Sequence, residues 1–87
     1  MEVLELKNIE RAPGAIYYIR RYKAIASLKL PTEIIDSPIE FCIEMGPFGN
    51  KEIEIDILNQ PNYPALPITK ALKEFILKID DNGTLPI

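Results

Sequence analysis

The chain has 87 residues, of which 47% are hydrophobic, with one cysteine and no histidine. This length fits a single domain, residues 1–87, and one cysteine excludes an internal disulfide. The absence of histidine removes the commonest general base and metal ligand, and with it Ser-His-Asp and Cys-His catalysis. The net charge of −3 is opposite to that of non-specific nucleic-acid binders. The composition therefore predicts a non-enzymatic protein without catalytic residues, cofactor or metal site.

The first residues, Met1 to Leu6, lack the basic opening and the apolar run of about 7–15 residues that are typical of a secretory signal. No stretch approaches the roughly 20 apolar residues that cross a bilayer. We therefore expect a cytoplasmic protein that does not bind membranes.

Alternation of side chains predicts the first strand over residues 2–7. Leu4 and Leu6 lie on one side of it and Glu5 and Lys7 on the other, as expected for period two. Pro13-Gly14 then indicates a turn.

The next stretch, residues 16–30, is predicted as a strand with a bend. Its second half alternates apolar and polar residues from Tyr22 to Leu30, and its aromatic and isoleucine content also favours a strand. Since strands usually have about five or six residues, we expect a bulge near Arg20 to Lys23. A helix over Ile16 to Ala26 is the alternative.

A β-hairpin is the clearest feature of the sequence. The segments 38–46 and 51–58 each alternate apolar residues with acidic ones, and Gly46 to Asn50 between them has the composition of a turn. Both segments should therefore be strands with one apolar and one acidic face.

A helix is predicted over residues 67–80, after a proline-rich crossover from Asn59. Apolar residues recur there at spacings of three and four from Ile68 to Ile79, which predicts one buried face; Leu77 falls outside it. Gly83 indicates the helix stop. The sequence therefore predicts an α+β fold, with a mostly antiparallel sheet of about four strands and one C-terminal helix packed on a face.

Five carboxylates of the hairpin should share one face of the sheet. These residues are Glu40, Glu44, Glu52, Glu54 and Asp56. One interpretation is a solvated face with interleaved lysines such as Lys23 and Lys29. Another is a docking face for a basic protein partner, because like charges across strands are destabilising unless they are offset.

A second cluster mixes tyrosine with arginine. Its members are Tyr17, Tyr18, Arg20, Arg21 and Tyr22. Aromatic and basic residues on a strand can stack and neutralise single-stranded nucleic acid. The alternative is a strand with half-buried tyrosines whose arginines pair with nearby acidic residues.

The sequence thus favours a small protein-interaction or structural module that self-associates as a homodimer. Exposed edge strands of an open sheet support this hypothesis, as do the spare apolar residues Ile34, Leu77, Leu85 and Ile87. The alternative function is a single-stranded nucleic-acid-binding domain.

Overall fold

Four strands and one helix make up the computed structural model, which describes residues 1–14 and 18–85. The elements in chain order are β1 (Glu2–Arg11), β2 (Ile19–Lys29), β3 (Ile34–Met45), β4 (Lys51–Ile57) and α1 (Ala65–Asp81). The strands form one antiparallel sheet in the order β1-β2-β3-β4. The predicted α+β class, with an antiparallel sheet and one C-terminal helix, is confirmed. No helix in the described residues is long and apolar enough to span a membrane.

The core lies between α1 and one face of the sheet. Ile68, Leu72 and Ile76 are the fully buried residues of the helix, and their spacing of four places them along one helical stripe. On the sheet, Tyr22 of β2 stacks on Phe41 of β3, with ring centroids 5.1 Å apart and planes at 20°. Aliphatic residues from all four strands surround this pair.

Strand β3 begins at Ile34, earlier than the predicted start at residue 38. Pro38 lies inside the strand without interrupting it. Its nitrogen position faces β4, where its carbonyl accepts a hydrogen bond from the N–H of Leu58 at 3.1 Å. Leu58 lies just beyond the end of β4, so the missing N–H of the proline disrupts no regular pairing.

The irregular strand of the sheet is β1 rather than β2. Strand β2 pairs with β3 from Ile19 to Lys29 without a shift in register, so the bulge expected near Arg20 is not there and residues 19–26 are not helical. The pairing of β1 with β2 instead shifts twice, once between Val3 and Glu5 and once between Lys7 and Glu10. Positions 16 and 17 of the predicted strand lie outside the described residues.

Helix α1 starts earlier than expected and is followed by a buried leucine. It begins at Ala65, so Pro67 lies in its first turn, where a missing N–H is tolerated. Gly83 has φ +70°, and its N–H donates to the Asp80 carbonyl at 3.0 Å, which ends the helix as predicted. Leu85 is only 6% exposed, so the expectation that it is a spare surface residue is wrong. Ile87 lies outside the described residues.

Replacing Ser37 with alanine is expected to raise the free energy of unfolding by about 1 kcal/mol. The Ser37 hydroxyl is buried without a hydrogen-bond partner in the described residues, and a buried unpaired hydroxyl is unfavourable. Ser27→Ala is the matched control, because Ser27 is also buried but donates to Asp36. Urea unfolding should show Ser37→Ala stabilised and Ser27→Ala destabilised; a loss of stability in both would contradict the prediction.

Candidate interaction surface

The five hairpin carboxylates lie on the face of the sheet that α1 does not cover, here called the open face. The register places Glu40 opposite Asp56 and Glu44 opposite Glu52, with Glu54 opposite Cys42. Because alternate residues of paired strands share a face, these side chains all project away from the helix. The predicted acidic face is therefore present as a geometric feature.

Basic residues offset this charge on the β2 side only. Lys23 of β2 pairs with Glu40, with 3.9 Å between the Lys23 Nζ and Glu40 Oε1 atoms. Within the described residues, no ion pair is made by Glu52, Glu54 or Asp56 of β4. The open face is therefore most acidic along β4, at the edge of the sheet.

A second polar contact joins the first three strands on the open face. The Lys7 ammonium lies 2.7 Å from Asp36, which also accepts a hydrogen bond from Ser27 at 2.7 Å. The bond from Lys7, together with that from Ser27, holds the pKa of Asp36 below its ordinary value. This contact fixes the pairing of β1, β2 and β3, and it is remote from the acidic edge.

The aromatic and basic cluster is divided between surfaces. Tyr22 is 1% exposed in the core, and Arg20 on the same side binds Asp80, whereas Arg21 lies on the open face opposite Cys42. Tyr18 is exposed in a turn, and Tyr17 lies outside the described residues. The nucleic-acid hypothesis stays a prediction, but Tyr22 is not at the surface for stacking.

Arg20 instead belongs to an ion-pair network at the end of α1. Its guanidinium binds the Asp80 carboxylate through two contacts of 3.0 Å and donates to the Tyr22 hydroxyl at 3.2 Å. Lys51 Nζ lies 2.8 Å from both Asp80 and Asp81. The network therefore fastens the last helical turn to β2 and to the start of β4.

Asp80 is the centre of this network. Burial raises the pKa of its carboxyl, but hydrogen bonds from Arg20 and Lys51 outweigh burial and leave the pKa below the ordinary 3.8. Since the unfolded chain then takes up this proton at higher pH than the folded chain, protonation favours unfolding.

We therefore expect the free energy of unfolding to fall as the pH drops from about 5 to about 2. The contribution of Asp80 is fully present above its unfolded pKa of 3.8 and is lost as the pH falls through its lower folded pKa. Asp36 acts in the same direction. Urea unfolding over a pH series should show a shallower acid dependence for Asp80→Asn; identical slopes for both proteins would contradict this assignment.

The helix covers the sheet unevenly and leaves its β4 side partly open. Ile39, Phe41 and Ile43 of β3 are 1–3% exposed. Their partners across the ladder, Ile57, Ile55 and Ile53, face the same core but are only half-buried. Leu77 of α1 borders a shallow groove beside Ile53 and is 41% exposed. We name Ile53, Ile55, Ile57 and Leu77 the β4 flank.

The backbone of β4 is also unpaired along this side. Hydrogen bonds from Gly46 N–H to the Asn50 carbonyl and from Leu58 N–H to the Pro38 carbonyl fix the phase of the ladder with β3. The N–H and C=O groups of even-numbered β4 residues thus face β3. Those of Ile53, Ile55 and Ile57 point outward, and β4 is the last strand of the sheet.

Sequence reasoning assigned these isoleucines to the core and did not identify the β4 flank. Their alternation with acidic residues correctly indicates which face they occupy. It does not indicate that β4 is an edge strand, because strand order is set by long-range pairing. The exposed leucine outside the helical stripe, Leu77, was the one signal in the sequence that pointed to it.

Comparison with curated proteins and with solved structures finds no match to the chain. A sequence model of the BB_0187 family matches residues 1–81, which include all four strands and the whole helix. The chain therefore belongs to the BB_0187 family.

Proposed function

We propose that the protein is a small non-enzymatic protein-interaction module that self-associates as a dimer through the β4 flank. The observation that carries the proposal is the uneven cover of one apolar row, in which residues of β3 are buried and their β4 partners are half-exposed. Burying exposed apolar side chains is the main favourable term in most protein association. A second copy packed against the flank would complete this core.

Further apolar side chains at the surface support a role in binding. Phe48 at the tip of the β3–β4 turn is 95% exposed. Leu66 in the first turn of α1 and Leu58 after β4 are also exposed. Aromatic and aliphatic residues of this kind are typical anchors at the centre of interfaces.

Light scattering at high micromolar concentration should give a mass of twice 9.9 kDa. Leu77→Glu should weaken the dimer by more than about tenfold, because it places a charge in an apolar contact. Leu4→Glu is the matched control, since Leu4 is 40% exposed and Leu77 41%, but Leu4 lies in β1 at the opposite edge. A single-chain mass for the unmodified protein, or equal effects of the two variants, would overturn the proposal.

A further inference from the structure

We propose that the free edge of β4 takes up an extended peptide as a fifth strand, and that this peptide alternates apolar with basic residues. The inference rests on the proposed function of the β4 flank and names a partner for it by chemistry.

The first argument is the regularity of the edge. All seven residues of β4 pair with β3 without a register shift, and the outward backbone groups of its isoleucines are spaced as a further strand requires. The opposite edge, β1, has two register shifts and a left-handed residue, Asn8, at φ +52°. Bulges of this kind hinder pairing with an added strand. Strand addition is therefore expected at β4 and not at β1.

The second argument is the alternation of side chains next to that edge. An added strand would place every second side chain beside Ile53, Ile55 and Ile57, where apolar residues would complete the core. The intervening side chains would lie beside the three carboxylates of β4, which have no ion-pair partner in the described residues. Opposite charges in such cross-strand positions are stabilising. The edge is thus complementary to lysine or arginine on one face and to aliphatic residues on the other.

A second copy of β4 does not meet this requirement. Pairing two β4 edges would bring Glu52, Glu54 and Asp56 of one copy beside the same residues of the other, and like charges across strands are destabilising. Two copies can therefore meet at the flank through side-chain packing but not through strand pairing. The peptide and the second copy use the same isoleucines, so they compete.

The test uses three seven-residue peptides and the full chain. The first peptide alternates valine and lysine, the second alternates valine and glutamate, and the third has the composition of the first with its valines in one block. Titration followed by NMR should show binding of the first peptide with slowed amide exchange at Ile53, Ile55 and Ile57. The glutamate peptide and the block peptide should each bind at least about tenfold more weakly. Added salt should weaken binding of the lysine peptide.

Two variants separate backbone pairing from charge. Ile55→Pro and Ile55→Ala both shorten the side chain, but only proline removes the outward N–H, so only proline should abolish binding. Glu54→Lys leaves the core untouched because its side chain is on the open face, and it should weaken the lysine peptide while strengthening the glutamate peptide.

Equal affinity for all three peptides, or no binding of any of them, would overturn the inference. So would slowed exchange of the same three amides on raising the protein concentration without peptide, because that result would mean strand pairing between copies. Light scattering of the Leu77 and Leu4 variants tests the proposed function separately. If that function is correct as well, saturating lysine peptide should reduce the measured mass from two chains to one.

Discussion

Replacing Asp80 with asparagine is expected to lower the free energy of unfolding by about 3 kcal/mol. The Asp80 side chain is 7% exposed and contacts both Arg20 and Lys51. Asparagine has nearly the same shape but no charge, so two partly buried cations lose the carboxylate that compensates them. The melting temperature of a domain of this size should fall by more than about 10 °C, as measured by calorimetry or by circular dichroism.

Asp81→Asn is the matched control for this variant. Asp81 is the next residue of the helix, but its side chain is 63% exposed and its ion pair is with Lys51. Exposed pairs contribute little, so the control should change the free energy of unfolding by about 0.5 kcal/mol or less. Equal losses in the two variants would mean that net charge at the end of the helix, and not the buried network, fastens α1 to the sheet.

Replacing Ile76 with alanine is expected to cost about 3 kcal/mol of stability. Ile76 is fully buried between α1 and the sheet, and shortening it leaves a cavity whose lining loses its contacts. Denaturant unfolding at low protein concentration measures the loss without a contribution from self-association.

Leu77→Ala is the control for Ile76→Ala, because it makes the same kind of change one residue further along the helix. The Leu77 side chain is largely outside the core, so the monomer should lose about 0.5 kcal/mol or less. A similar loss at both positions would show that α1 is rotated relative to the arrangement described above.

Local patterns were sufficient to predict the hairpin and the helix. Ile53, Ile55 and Ile57 alternate with carboxylates, and Ile68, Leu72 and Ile76 repeat every four residues. Each pattern reports which side of an element meets the core, and it acts within a few residues of the chain. The orientation of the acidic face followed from the same alternation.

Long-range contacts could not be predicted from the sequence. Arg20 and Asp80 are 60 residues apart, and no local pattern indicates that they meet, so Arg20 was assigned to a possible nucleic-acid surface. The register shifts of β1 are similarly invisible, because they depend on the way β1 is fitted against β2. Leu85 was assigned to the surface because its burial depends on the chain returning to the core after α1.

The position of β4 at the edge of the sheet is the most important feature that the sequence did not reveal. An alternating segment of isoleucine and acid fits an edge strand as well as an inner strand that faces solvent on one side. Only the strand order exposes the outward backbone groups of β4 and the uneven cover of its isoleucines.

Amide hydrogen exchange along β4 in the free protein tests the central claim most directly. The N–H groups of Glu52, Glu54 and Asp56 face β3, whereas those of Ile53, Ile55 and Ile57 face solvent. Residue-resolved exchange measured by NMR should therefore alternate, slow at the acidic positions and fast at the isoleucines. Slow exchange at all six positions would contradict a free edge, and fast exchange at all six would contradict the pairing of β4 with β3.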